Sequence, residues 1–115
     1  MSKPDSTSDG RLPPAEPVRL ADLLDYVPAA VVSRTLSQNP AGTITLFAFD
    51  AGQGLSEHTA PFDALVQVLD GEVELTIAGK KIPARAGESV LMPANVPHAL
   101  HSSRRFKMLL TMIRG

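Results

Sequence analysis

From Glu72 to Ile77 polar and apolar residues alternate: Glu72, Glu74 and Thr76 against Val73, Leu75 and Ile77. A period of two predicts a strand with one wet face and one dry face. Comparable short runs recur from residue 31 onward, at Val31–Leu36, Thr43–Phe49, Ala64–Leu69, Lys81–Ala84, Glu88–Met92, Val96–His101 and Phe106–Ile113. Several are rich in the β-branched and aromatic residues that suit a pleated, half-buried surface. Turn chemistry separates them, as at Asn39-Pro40-Ala41-Gly42 and Ala78-Gly79-Lys80. Asp70-Gly71, between two of the runs, predicts a tight hairpin, because a type I′ turn needs positive φ. Helical spacing occurs in Val18–Tyr26, where Leu20, Leu23 and Leu24 share a face and Asp22 and Asp25 turn away. A short helix or turn ending before Pro28 is the expectation there.

Many short strands and no long helix predict an all-β, antiparallel sandwich or closed barrel, the latter removing exposed sheet edges. Residues 1–17 combine Ser, Thr, Asp and Gly with Pro4, Pro13, Pro14 and Pro17, and so read as a flexible tail. Residues 18–115 then form a single domain, the most that 115 residues can build around one core. A formal net charge of -1 argues against electrostatic capture of nucleic acid or an anionic membrane. The local basic cluster Arg104, Arg105 and Lys107 reads as a solvated face. With no cysteine, disulfides, thiolate metal sites and cysteine nucleophiles are excluded. The N-terminus has no apolar targeting core, and no apolar run is long enough to span a bilayer, so the expected location is cytoplasmic.

The glycines, prolines and histidines of the second half fall at fixed intervals. Gly52 is followed after five residues by His58, and Gly71 closes that set; Gly87, Pro93 and His98 form a second. This double spacing resembles the two motifs of the cupin family over roughly residues 43–113. It implies an antiparallel double-stranded β-helix, or jelly-roll barrel. The departures are specific. Ala60 stands at the second histidine position of the first motif and Ala64 at its glutamate. In the second motif Asn95 replaces a glycine, a swap that left-handed backbone tolerates, and Ser102 replaces the terminal asparagine.

In metal-binding cupins three histidines and one glutamate converge on a divalent ion, commonly manganese, iron, nickel, copper or zinc. The resemblance assigns His58 and His98 to two of those ligands. Alternation turns Asp63 and Glu57 away from His58. A bulge near Pro61 would bring Asp63 inward, and Gln67 with it, giving two histidines, an oxygen ligand and water-filled positions. His101, three residues past His98, falls on the opposite face of a strand, exposed or at a subunit interface. The alternative for His58 and His98 is a pair of neutral imidazoles that hydrogen-bond each other or water in a pocket. Ala60, Ala64, Val66 and Met108 are the expected apolar wall of that pocket. Val68, Leu110 and Met112 continue it, most of this wall being barrel core.

Three functions remain open at this stage. The first is a small-molecule-binding barrel with a degenerate metal site. The second is a metal-dependent dioxygenase or isomerase using His58 and His98. The third is a metal-free enzyme in which a histidine moves a proton. No helix-turn-helix accompanies the barrel, so direct transcriptional regulation is not expected, and the charge balance predicts no nucleic-acid partner. The resemblance also implies a homodimer, with the apolar Val18–Leu36 segment buried against the partner.

Overall fold

The computed structural model describes residues 10–114. Eight strands follow one another: β1 Val31–Asn39, β2 Gly42–Phe49, β3 Gly54–His58, β4 Asp63–Ile77, β5 Lys80–Arg85, β6 Ser89–Met92, β7 His98–His101 and β8 Phe106–Ile113. Their pairings are antiparallel, in the order β1-β2-β8-β4-β7-β3, with β5 and β6 also on β4. The expected all-β jelly-roll barrel is what the chain forms. β3 lies in a stretch where the sequence offered no strand pattern.

The 15-residue β4 is the organising element. Its first half is flanked by β8 and β6, and its second by β5 and β7. One strand therefore serves both sheets of the barrel. The hairpin expected at Asp70-Gly71 does not occur. Gly71 does take positive φ, at 73°, but β4 continues through it. The register against β8 slips between Val68 and Asp70, so the same backbone freedom makes a bulge and a bend where the strand crosses from sheet to sheet. A Cβ at position 71 would lie 2.2 Å from the Arg105 carbonyl oxygen, so only glycine fits.

Inward-facing residues of both sheets make the main core, with Phe49 and Phe106 fully buried and stacked at 4.3 Å. A second apolar cluster, Leu36, Leu46 and Leu109, lies apart from the first. It is covered by Leu12, Leu20, Leu23 and Leu24. The leucine spacing in Val18–Tyr26 thus reflects docking onto the strands rather than a full helix, and only Leu20–Asp22 forms a 3₁₀ turn. These leucines of the segment expected against a partner pack on their own barrel. Within the stretch read as tail, the Leu12 amide donates to the Leu36 carbonyl at 3.1 Å, and Arg34 Nε donates to the Gly10 carbonyl at 2.8 Å. The first nine residues lie outside the described residues.

A polar clasp completes this docking. Tyr26 donates to Asp70 at 2.5 Å, and Lys107 Nζ donates to the Ala21 carbonyl and sits 4.9 Å from the Tyr26 ring centre. Burial first, and then the Asp70 carboxylate, hold the Tyr26 hydroxyl well above its usual pKa. Lys107 is only 9% exposed, which corrects its reading as part of a solvated basic face: its charge is spent on the N-terminal segment. Arg105 is exposed and paired with Asp50 at 2.8 Å.

Candidate functional site

His58 is the last residue of β3 and His98 the first of β7, and the two are direct cross-strand partners. A register slip between Leu55 and His58 precedes the pair. The loops that follow and precede the two strands are stapled together. The Asn95 amide donates to the Ala60 carbonyl at 2.7 Å, and the Ala94 amide to Asp63 Oδ1 at 2.9 Å. Asn95 has φ of 63°, the left-handed backbone expected where it replaces glycine. His98 is buried and His58 exposed, so the pair runs from the interior to the mouth.

The imidazoles meet through their Nε2 atoms, 3.1 Å apart. Each Nδ1 faces a backbone carbonyl, that of Ser56 for His58 at 2.8 Å and that of Val96 for His98 at 3.1 Å. A carbonyl only accepts, so both Nδ1 atoms serve as donors and both Nε2 atoms keep a lone pair. If one neutral ring instead donates from Nε2 to the other, its Nδ1 is left lone pair to lone pair with a carbonyl. Two neutral rings therefore cannot satisfy all three contacts, whereas a third proton shared between the Nε2 atoms, or a metal ion between them, satisfies all of them. Nδ1–H bound to a carbonyl is also the common way in which a metal-ligating histidine is oriented.

Both rings border a cavity of about 40 Å³. Ala60, Ala64 and Met108 line it, while Val66 is fully buried in the core and does not. Leu55, Met92, Leu100, Leu110 and Met112 complete most of the wall. The contribution of Met92 was missed. The signal for it is register, since Ala64 pairs with Met92 on one side and Met112 on the other.

The bulge that would have supplied a third ligand is absent. Ala64, Val66 and Val68 are buried in strict alternation, so Asp63 and Gln67 face away from the cavity. Asp63 is exposed and holds the Ala94 amide instead. His101 is exposed, as expected, and borders an open cleft of about 340 Å³ with Glu72, Glu74 and Arg85, away from the histidine pair. Among the described residues no group of three His, Cys, Asp or Glu is placed to hold a metal ion.

The donor set thus fits a metal ion at two positions and leaves the others open. Two nitrogens bound to one ion at about 2.0–2.1 Å, at tetrahedral or smaller angles, lie roughly 3.0–3.4 Å apart, a range that brackets the observed separation. Alanine at 60 and 64 supplies no further donor. Among the described residues no carboxylate borders the cavity to balance a divalent charge.

A barrel of this topology, with histidines from two neighbouring strands at its mouth, defines a cupin. The chain belongs to that family: the cupin domain family matches residues 45–113. It is 33% identical to a conserved protein of unknown function from Streptococcus pyogenes, covering 91% of this chain and 92% of that one, with a TM-score of 0.86. A cupin superfamily protein from Desulfitobacterium hafniense is 32% identical, covering 91% and 96%, also at 0.86. A cupin 2 conserved barrel domain protein from Leptotrichia buccalis is 40% identical over 81% of this chain, at 0.78. The match spans 45% of that longer protein. No curated protein matches the chain. Among the described residues no helix is long and apolar enough to cross a membrane.

Proposed function

We propose that this cupin binds a small ligand at the mouth of its barrel through a transition-metal ion held by Nε2 of His58 and His98. The observation that carries this reading is the pair of carbonyl-oriented imidazoles whose Nε2 atoms face each other at 3.1 Å. Cavity size bears on the ligand. About 40 Å³ holds a few water-sized groups, far below the roughly 300 Å³ at which pockets for drug-sized ligands begin. The ligand therefore contributes only a few atoms to the interior. Any remainder extends past exposed His58. Manganese, iron, nickel, copper and zinc are the candidate ions, and a bound ion would polarise a ligand oxygen or activate dioxygen. His58 and His98 orient the ion, and the apolar wall excludes water around it.

Thermal unfolding in the presence of each ion tests the proposal. Stabilisation by at least one ion, lost in His58→Ala and His98→Ala, is expected. Stabilisation by small organic ligands but by no metal ion would instead leave a metal-free binding barrel. A histidine-dependent reaction that persists in chelator would favour acid–base chemistry.

For association we propose a homodimer. Leu91 and Ile113 are 54% and 59% exposed, and they lie on one face of the sheet with half-buried Leu65, which pairs with Leu91. A second copy of this face is the occupant we assign to it.

A further inference from the structure

We propose that the site is built for a soft, monovalent ion, copper(I), with the thioether sulfurs of Met92 and Met112 supplying the donors that the missing histidine and glutamate positions lack. The proposal rests on the two-histidine reading above and goes beyond it in naming the ion class and two further ligands, one of which an incoming ligand would displace, since copper(I) takes at most four donors.

Three observations carry it. Every methionine beyond Met1 lines the same cavity as His58 and His98: Met92, Met108 and Met112. Two of them flank Ala64, which stands at the motif's glutamate position: Ala64 in β4 pairs with Met92 in β6 and with Met112 in β8, and all three residues border the cavity. Met108 pairs instead with Val68, further along β4. The third observation concerns charge. Among the described residues the cavity wall is apolar apart from the two imidazoles, and no acid borders it. The desolvation cost of an ion rises with the square of its charge, so a divalent ion costs about four times as much to bury here as a monovalent one. Thioether and imidazole donors without a carboxylate select copper(I), while oxygen-rich sets favour harder ions. Methionine also fills irregular core gaps, and Met92 and Met108 are both buried in the main core with Met112 packed against it; coordination would be a second role for the two thioethers that flank Ala64.

The test is anaerobic titration of the full chain with copper(I) against a chromogenic copper(I) chelator, alongside zinc(II) titration. It is run on wild type, Met92→Leu, Met112→Leu, their double variant and His58→Ala. Leucine conserves side-chain volume, so the barrel is kept and only the sulfur is removed. One copper(I) per chain is expected, weakened on the order of tenfold or more by each leucine, with zinc(II) affinity unchanged. X-ray absorption of the copper(I) complex should show sulfur in the first shell and lose it in the double variant. A nitrogen- and oxygen-only shell would overturn the proposal. So would leucine variants that weaken both ions equally, which is what a merely structural role for the methionines produces. If His58→Ala abolishes zinc(II) binding while copper(I) never binds, the thioether assignment fails and the two-histidine site stands. If wild type binds neither ion, both fail.

Discussion

His58 and His98 are separated by 40 residues, yet their rings meet edge to face with centroids 4.3 Å apart, each steered by a carbonyl two residues before it in the chain. The steering comes from strand ends. Ser56 and Val96 present their carbonyls where β3 finishes and β7 begins, so the fold fixes the positions of the imidazoles and favours a proton on each Nδ1.

Asp63 acts on that pair from outside the cavity. Replacing it with alanine removes the acceptor for the Ala94 amide and frees the loop that leads into β7. A loss of about 1 kcal/mol of stability is expected, with faster amide exchange at Ala94 and Asn95 and metal affinity lowered but retained. Complete loss of metal in Asp63→Ala would make Asp63 a ligand and contradict its outward placement.

Gly71 and Gly79 separate two costs of positive φ. Both have it, at 73° and 79°, but a Cβ at 71 meets the Arg105 carbonyl oxygen at 2.2 Å, whereas none of the described residues lies within 4 Å of one at 79. Gly79→Ala should cost about 1 kcal/mol from backbone strain alone. Gly71→Ala should cost clearly more, on the order of 3 kcal/mol, because the β4 bulge must shift as well. Chemical denaturation of the two variants checks the order.

Acid stability should depend on Asp50. The Ala29 amide and then the Arg105 side chain favour its charged form, lowering its pKa from 3.8 to about 2. The stabilisation is therefore present above the unfolded-state value and lost as pH falls from about 4 towards 2. Asp50→Asn should flatten the stability profile in that window and leave its shape at neutral pH unchanged. An identical acid profile in the variant would refute the assignment.

In solution the chain should scatter light as a species of about twice 12.2 kDa. Leu91→Lys should shift it towards monomer, since a charge on each copy of a self-paired face repels its equivalent. A wild-type protein found only at 12.2 kDa would remove the dimer.

The sequence made the barrel legible because alternation and turn residues are local. Phe106–Ile113 is recovered to the residue. Asp70-Gly71 was misread because a hairpin and a bulge ask the same thing of a glycine, and only the partner strand distinguishes them. The short β3 has no apolar alternation, as its Gly54-Leu55-Ser56-Glu57-His58 run shows. At the site the two histidines and their alanine neighbours could be read from spacing. Met92 could not, because its place beside Ala64 depends on the register between β4 and β6. The proposed inward turn of Asp63 and Gln67 depended on a bulge near Pro61, and the irregularities lie within β3 and beyond Val68 instead.

The decisive measurement is the metal content of untagged protein, by elemental analysis after anaerobic incubation with the candidate ions. Wild type should hold close to one transition-metal ion per chain and His58→Ala and His98→Ala none, with both variants still folded. A metal-free wild type, or variants that retain the ion, would show that the paired imidazoles do not form a metal site.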